Sequence, residues 1–221
     1  MSTVSKYKVI LTGSSSVGKT SLCNNIRGFM FNKRIPITIG VDFMKIELKN
    51  PKENGKQQKY EIHLWDTAGH ENYRSLTKSF YRNSQIILLC FDLTNRKSFV
   101  ELNMWLNEIN SIVTEPVYLC LLGLKSDLES VISEEEIVVF LEKNLITTFY
   151  NFSSKESENS DTIKGVLYNL VEKYNLMIED YLYCEELKNG TFKLDNNDVN
   201  IYDLTNLENK SKNKSKNKYC C

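Results

Sequence analysis

The octet GSSSVGKT at residues 13–20 constrains this chain more than any other stretch, because it stands between a strand-like run, YKVILT, and a helix-compatible segment, SLCNNIRG. In that context a Gly-x4-Gly-Lys-Thr string is a phosphate-binding loop. Glycines let the backbone wrap an anion, and successive N–H groups and a helix N-terminus point at it. Lys19 then reaches the β and γ oxygens and the Thr20 hydroxyl serves Mg²⁺. Four such fixed positions would match by chance on the order of once in 100 chains of this length. Ser15, Ser16, Val17, Gly18, Lys19, Thr20 and Ser21 are thereby assigned to a nucleotide-binding segment, with Ser15 and Ser16 small enough to leave the phosphate pocket open. The loop alone names neither the nucleotide nor the reaction.

Composition narrows the rest. With 221 residues, 41% of them hydrophobic, the chain can build one sizeable core and a tail. Lys plus Arg and Asp plus Glu number 28 each, so no global field points to nucleic acid. No apolar run approaches the roughly 18 residues of a membrane-spanning helix. The start, MSTVSKYKVI, has no secretory stretch, and Ser2 stands where N-myristoylation needs glycine, so the cytosol is the expected compartment. Six cysteines show neither metal-type spacing nor the density of a disulfide scaffold. Cys90 and Cys120, inside apolar runs, read as small buried hydrophobes.

Strand-length apolar runs alternate with helix-period segments, the pattern of an α/β protein whose strands are covered on both faces. Strands are expected near 7–12, 41–49, 59–66, 85–92, 117–123 and 147–152. NPKENG between the second and third suits an antiparallel hairpin at one edge of an otherwise parallel sheet. Phe99, Leu102, Leu106 and Ile109 form one helical stripe, and Ile163, Val166, Leu167, Leu170, Val171 and Tyr174 another. Ser133 with Glu136 makes a capping box for a helix that buries Ile137, Phe140 and Leu141. Composition shifts near residue 179: the next thirty residues carry eight acids against two lysines, as a linker would. KSKNKSKNK follows, a cationic tip that is otherwise a solvated end. The division is thus 1–178 for the folded domain and 179–221 for a flexible tail.

Further strings lie downstream: Thr38 in TIGVDF, WDTAGHE at 65–71, LLGLKSDL around Lys125 and Asp127, and FSSK at 152–155. Together with the octet they resemble a small GTPase of the Ras superfamily. TIGVDF, WDTAGHENYRSLTKSFYR, FDLTNRKSF and the terminal Cys-Cys resemble the Rab family of membrane-traffic GTPases, over about residues 6–178 and the last two cysteines. SFVELNMWLNEI resembles, more faintly, the Rab subgroup of endoplasmic reticulum and lipid droplets. The resemblance implies a six-stranded G domain that binds GTP and GDP with Mg²⁺. Thr20 and Thr38 would be its hydroxyl ligands, with Asp66 holding the ion through water. Thr38 and the Gly69 N–H would sense the γ-phosphate, Asp127 would accept from guanine N1 and N2, Lys125 would pack along the base, and the Ser154 N–H would donate to O6, with Ser153 and Lys155 in the same loop. Phe31 either covers the base edge or packs in the core.

Two positions depart from the family. His70 stands where a Gln usually orients the attacking water; with Lys19 and Gly69 it completes the expected catalytic set, and slow intrinsic hydrolysis follows unless a partner supplies the missing groups. Leu124 replaces an Asn that contacts guanine N7 and ties the base loop to the phosphate loop; losing such hydrogen bonds costs about 1–3 kcal/mol where a partner is left unpaired. The hairpin LKNPKENGKQQK is about five residues longer than the usual Rab pattern, as a tolerated loop or a determinant of partner choice. Cys220 and Cys221 resemble the doubly geranylgeranylated end of Rabs, two lipid chains beside a lysine cluster being enough for stable anchoring. The tether of residues 179–219 would span roughly 35 Å as a coil.

The implied partners are effectors, an exchange factor, a GTPase-activating protein, the prenylation escort, a GDP-dissociation inhibitor and a membrane. The implied place is the cytosolic face of the endoplasmic reticulum, Golgi or lipid droplet, in exchange with cytosol. Rivals are a Rab-like scaffold that binds nucleotide weakly and, more remotely, a P-loop kinase or adenosine triphosphatase, which would carry a different base site.

Overall fold

Six hydrophobic runs form the strands of one sheet in the computed structural model, which describes residues 4–51, 57–70, 73, 78–156 and 159–188. The strands are β1 (Ser5–Thr12), β2 (Val41–Pro51), β3 (Gln57–Thr67), β4 (Ile86–Asp92), β5 (Tyr118–Leu124) and β6 (Phe149–Phe152). Their order is β2-β3-β1-β4-β5-β6. β2 pairs antiparallel with β3 at the edge, and the other pairings are parallel. This is the expected mostly parallel α/β sheet. The hairpin tip at 52–56, where the additional residues fall, lies outside the described residues.

The helices are α1 (Lys19–Ile26), α2 (Arg96–Val100), α3 (Leu102–Ile112), α4 (Glu134–Lys143) and α5 (Asn159–Lys188). Alternation along the strands divides the core in two. Val9, Leu11, Leu88 and Cys90 face α1 and the first half of α5, packing with Leu22, Cys23, Ile163, Leu167 and Leu170. Ile10, Ile87, Leu89 and Phe91 face the other way, onto Phe99, Trp105, Leu106, Ile109, Ile137 and Phe140. A side-chain period of two on strands covered on both faces requires this split. Cys90 and Cys120 are buried free thiols, and burial pushes both up, Cys90 to about 12. The Ser133–Glu136 capping box forms at α4, with Leu141 only partly buried.

α5 continues to Lys188, ten residues into the stretch expected as a linker from 179. The correction has a local cause: EDYLYCEELK contains no helix breaker, and Lys188 pairs with Glu185 at 3.0 Å. A compact unit ends at Tyr174 and a second begins at Asn175. Cys220, Cys221 and the lysine cluster lie outside the described residues.

The sheet dictates where a ligand belongs. The connection after β1 runs to β2 at one edge and the connection after its neighbour β4 runs to β5 on the other side, leaving between β1 and β4 the crevice of a topological switch point. The residues that follow β1 are the phosphate-binding octet.

Candidate functional site

Beyond the carboxyl ends of the strands lies a cleft of about 490 Å³. Ser15, Ser16, Gly18, Lys19, Thr20 and Ser21 line one end; Leu124, Lys125, Asp127, Ser154 and Lys155 line the other; Phe31, Thr38 and Gly69 complete the wall. Fourteen of the sequence-nominated residues thus meet at one place, counting Leu124. Val17 turns its side chain into the core, and Asp66 and Ser153 are buried behind the wall. His70 does not line the cleft. Its carbonyl accepts from the Tyr73 N–H at 3.0 Å and its ring lies 6.3 Å from that of Tyr73.

The octet is shaped by close backbone approaches. A Cβ on Gly13 would lie 2.1 Å from the Cys90 carbonyl oxygen, so only glycine lets β1 turn there. Ser16 takes φ +64°, a left-handed conformation that costs a serine about 1 kcal/mol. Lys19 opens α1 fully buried, its ammonium donating to the carbonyls of Gly13 at 2.7 Å and Ser14 at 2.8 Å. Burial lowers its pKa from the ordinary lysine value. Two carbonyls hold the cation without neutralising it, which leaves its charge to an anion in the cleft.

Three hard oxygen groups converge beside Lys19. Thr20 Oγ1 lies 2.7 Å from Thr38 Oγ1 and donates to Asp66 Oδ2 at 2.6 Å. Asp66 Oδ1 is buried without a hydrogen-bond partner, and burial raises the carboxyl's pKa above its ordinary value. An orphaned buried carboxylate oxygen beside two hydroxyls is a set that suits a small oxygen-seeking dication such as Mg²⁺. Gly69 approaches the octet so closely that a Cβ would lie 2.5 Å from Ser14 C and Ser15 N. That approach brings the segment after β3 onto the phosphate loop.

At the other end, β5 and β6 deliver two loops that are bonded to each other. The Ser126 N–H donates to the Phe152 carbonyl at 3.2 Å, Ser153 Oγ donates to Asp127 Oδ1 at 2.7 Å, and Lys155 Nζ lies 3.6 Å from Asp127 Oδ2. The Ser153 hydrogen bond is the main reason the Asp127 carboxyl sits below its ordinary range. An ionised carboxylate fixed in this way accepts hydrogen bonds and donates none. Phe31 is 43% exposed at the mouth, so it does not pack in the core.

Leu124, at the end of β5, is 1% exposed. It packs under Gly18, with Cδ1 3.6 Å from the place where a side chain there would begin. An apolar contact thus occupies the seam between base loop and phosphate loop, and burial of the leucine contributes about 1.5–3 kcal/mol to folding.

Several functional contacts were absent from the sequence reading. Lys125, at φ +65°, pairs with Asp92 at the end of β4. Ser14 Oγ donates to Glu101 and accepts from Trp105 Nε1 at 3.3 Å, so the α2–α3 junction braces the phosphate loop. Asn25 on α1 reaches the FSSK loop. Each links residues distant in sequence and leaves no local signature.

The pattern of the Ras family matches residues 8–175. The chain is 33% identical to Ras-related protein Rab-19 of Xenopus laevis over 87% of both chains. It is 33% identical to Ras-related protein SEC4 of Saccharomyces cerevisiae over 75% of both. It is also 36% identical to a probable Rab-related GTPase of Acanthamoeba polyphaga mimivirus, over 76% of this chain and 75% of that one. With that pattern covering most of the chain, and the cleft assembled from its motifs, the protein belongs to the Ras family of small GTPases and stands with its Rab members.

Proposed function

We propose that this protein is a Rab-type switch. It binds GTP and GDP with Mg²⁺ in the cleft, hydrolyses GTP slowly, and recruits effectors to the cytosolic face of an intracellular membrane. One observation carries the reading: Lys19 and the Thr20–Thr38–Asp66 cluster close one end of the same cleft whose other end presents Asp127, Lys125 and Ser154.

Each residue has a part. Lys19 and the octet's backbone bind the β and γ phosphates, and Thr20, Thr38 and Asp66 hold the ion, which when bound offsets phosphate charge. Asp127 selects guanine because adenine presents no equivalent donors. Thr38 and the Gly69 N–H hold the γ-phosphate, so its loss frees both segments, an order-to-disorder switch that partners read. Ile37, Ile39 and Phe43, exposed between and beside those segments, supply apolar surface for an effector. Cys220 and Cys221 carry the lipid chains, and residues beyond the G domain form the tether. The exchange factor, GTPase-activating protein, escort and dissociation inhibitor act on this cycle.

Competition tests the base assignment: labelled GTP is expected to be displaced by GTP at least about 100-fold more readily than by ATP, the discrimination a buried polar recognition site provides. Equal displacement contradicts it. Hydrolysis is tested by single-turnover rates, where His70→Gln is expected to accelerate cleavage by about tenfold or more, because positioning of the water limits the reaction. An unchanged rate removes His70 as the cause of slow hydrolysis. A second reading, a weakly binding scaffold, is favoured by Leu124 beneath Gly18 and by His70 lying off the cleft wall.

A further inference from the structure

Asn25 lies on α1, six residues after Lys19, and is 6% exposed. Its Nδ2 donates to the carbonyls of Ser154 at 3.4 Å and Glu156 at 3.2 Å, while its Oδ1 is buried without a hydrogen-bond partner. Asparagine is a poor helix former, and a buried amide costs free energy unless its groups are bonded. Leu22, Cys23 and Ile26, beside it on α1, are buried apolar residues, so their packing does not call for an amide there. The two hydrogen bonds to the FSSK loop are what the side chain provides.

Their placement bears on the ligand. α1 is continuous with the phosphate-binding octet, which runs into it at Lys19. The FSSK loop is bonded through Ser153 and Lys155 to Asp127, and through Phe152 to Ser126. A tether on Ser154 and Glu156 therefore restrains both base loops together. At the alternative seam, Leu124 meets Gly18 through an apolar side chain that offers no hydrogen bond.

We propose that Asn25 is a positioning residue for the guanine base: it ties the base loops to the helix that carries the phosphate loop, and so sets the rate of nucleotide release in a chain whose Leu124 offers no polar tie. This rests on the guanine-nucleotide reading above. Asn25 touches no nucleotide and acts through Ser154 and Asp127.

The test uses the full chain as wild type, Asn25→Leu, Asn25→Asp, Leu124→Asn and the Asn25→Leu/Leu124→Asn double variant. Asn25→Leu keeps the branching at Cγ in a somewhat larger side chain and removes both hydrogen bonds; Asn25→Asp keeps the size and removes the donor. Release of fluorescently labelled GDP is followed by stopped flow, the preference for GDP over inosine diphosphate by competition, and amide hydrogen exchange across residues 153–156 by mass spectrometry. Both Asn25 variants are expected to release GDP about tenfold faster, as loss of one net hydrogen bond implies. Exchange at 153–156 rises while that of β1 does not. The preference for GDP over inosine diphosphate, which lacks the 2-amino group, shrinks, whereas general destabilisation would weaken both ligands alike. In the double variant Leu124→Asn slows release again. Release within twofold of wild type, unchanged exchange at 153–156, or equal weakening of both nucleotides overturns the proposal. If the wild type binds no guanine nucleotide, the functional reading fails, and the exchange measurement still decides whether Asn25 holds the loop.

Discussion

At the phosphate end of the cleft, six of the seven residues from Ser15 to Ser21 supply most of the site, and Thr38, Asp66 and Gly69 close onto them through hydrogen bonds or backbone contact. At the base end, Lys125 and Asp127 come from one loop and Ser153, Ser154 and Lys155 from another, and the two are joined by side-chain bonds. Polar groups of the octet and Thr38 dominate the first end, where His70, off the cleft wall, is the departure from the family pattern. The second carries the other departure, Leu124, and is tied to α1 from outside the cleft by Asn25. The contrast teaches that grip on phosphate is a property of a contiguous motif, whereas grip on the base depends on how separate loops are held together.

The largest expected effect breaks the phosphate end. Lys19→Met removes a buried cation and should weaken GDP by about 100-fold or more, since losing one partner of a buried charged contact costs about 2–5 kcal/mol. Calorimetric titration measures it. The ligand-free melting temperature should hold, because the methionine spares the burial of an ammonium. Equal losses in binding and stability would make the lysine structural.

The next sharpens the base end. Leu124→Asn should slow GDP release by roughly one to two decades, if the amide regains hydrogen bonds worth about 1–3 kcal/mol. Stopped-flow release checks it, and the melting temperature of the ligand-free protein should fall as buried apolar surface is lost. In the natural chain, 7-deaza-GDP should bind about as well as GDP, because the Leu124 side chain offers N7 no donor. A clear preference for GDP would show a donor other than residue 124.

The smallest effect is in pH. Ser153 holds the Asp127 carboxyl below its ordinary value of 3.8. A depressed native pKa stabilises the fold above the unfolded value and loses that contribution as pH falls through the native one. Guanine binding should thus be flat from pH 7 to 5 as far as Asp127 is concerned. Ser153→Ala should move its acid limb upward by a fraction of a unit, read from GDP affinity against pH. A downward shift would reverse the assigned cause.

Much of this was legible in the sequence because it is local. The octet between strand and helix, the hairpin edge and the Ser133 capping box each announce themselves within a dozen residues. The fold's two-faced core follows from alternation along β1 and β4. What was not legible crosses long separations. Asn25 reaches its partners 129 and 131 residues away, and Ser14 meets Trp105 across 91. The one available hint for Asn25 was an amide among apolar neighbours on a short helix, a weak signal without the loop it meets. Likewise, the acidic composition after residue 178 argued for a linker, yet the helix continues to Lys188, since no glycine or proline ends it there.

The central claim is that the cleft holds guanine nucleotide despite Leu124. The most direct measurement is to purify the unprenylated protein without added nucleotide, denature it, and identify what is released by ion-exchange chromatography. The account expects close to one guanine nucleotide per chain, GTP if hydrolysis stalls at His70 and GDP if it does not. An empty protein, or one that releases adenine nucleotide, would contradict it.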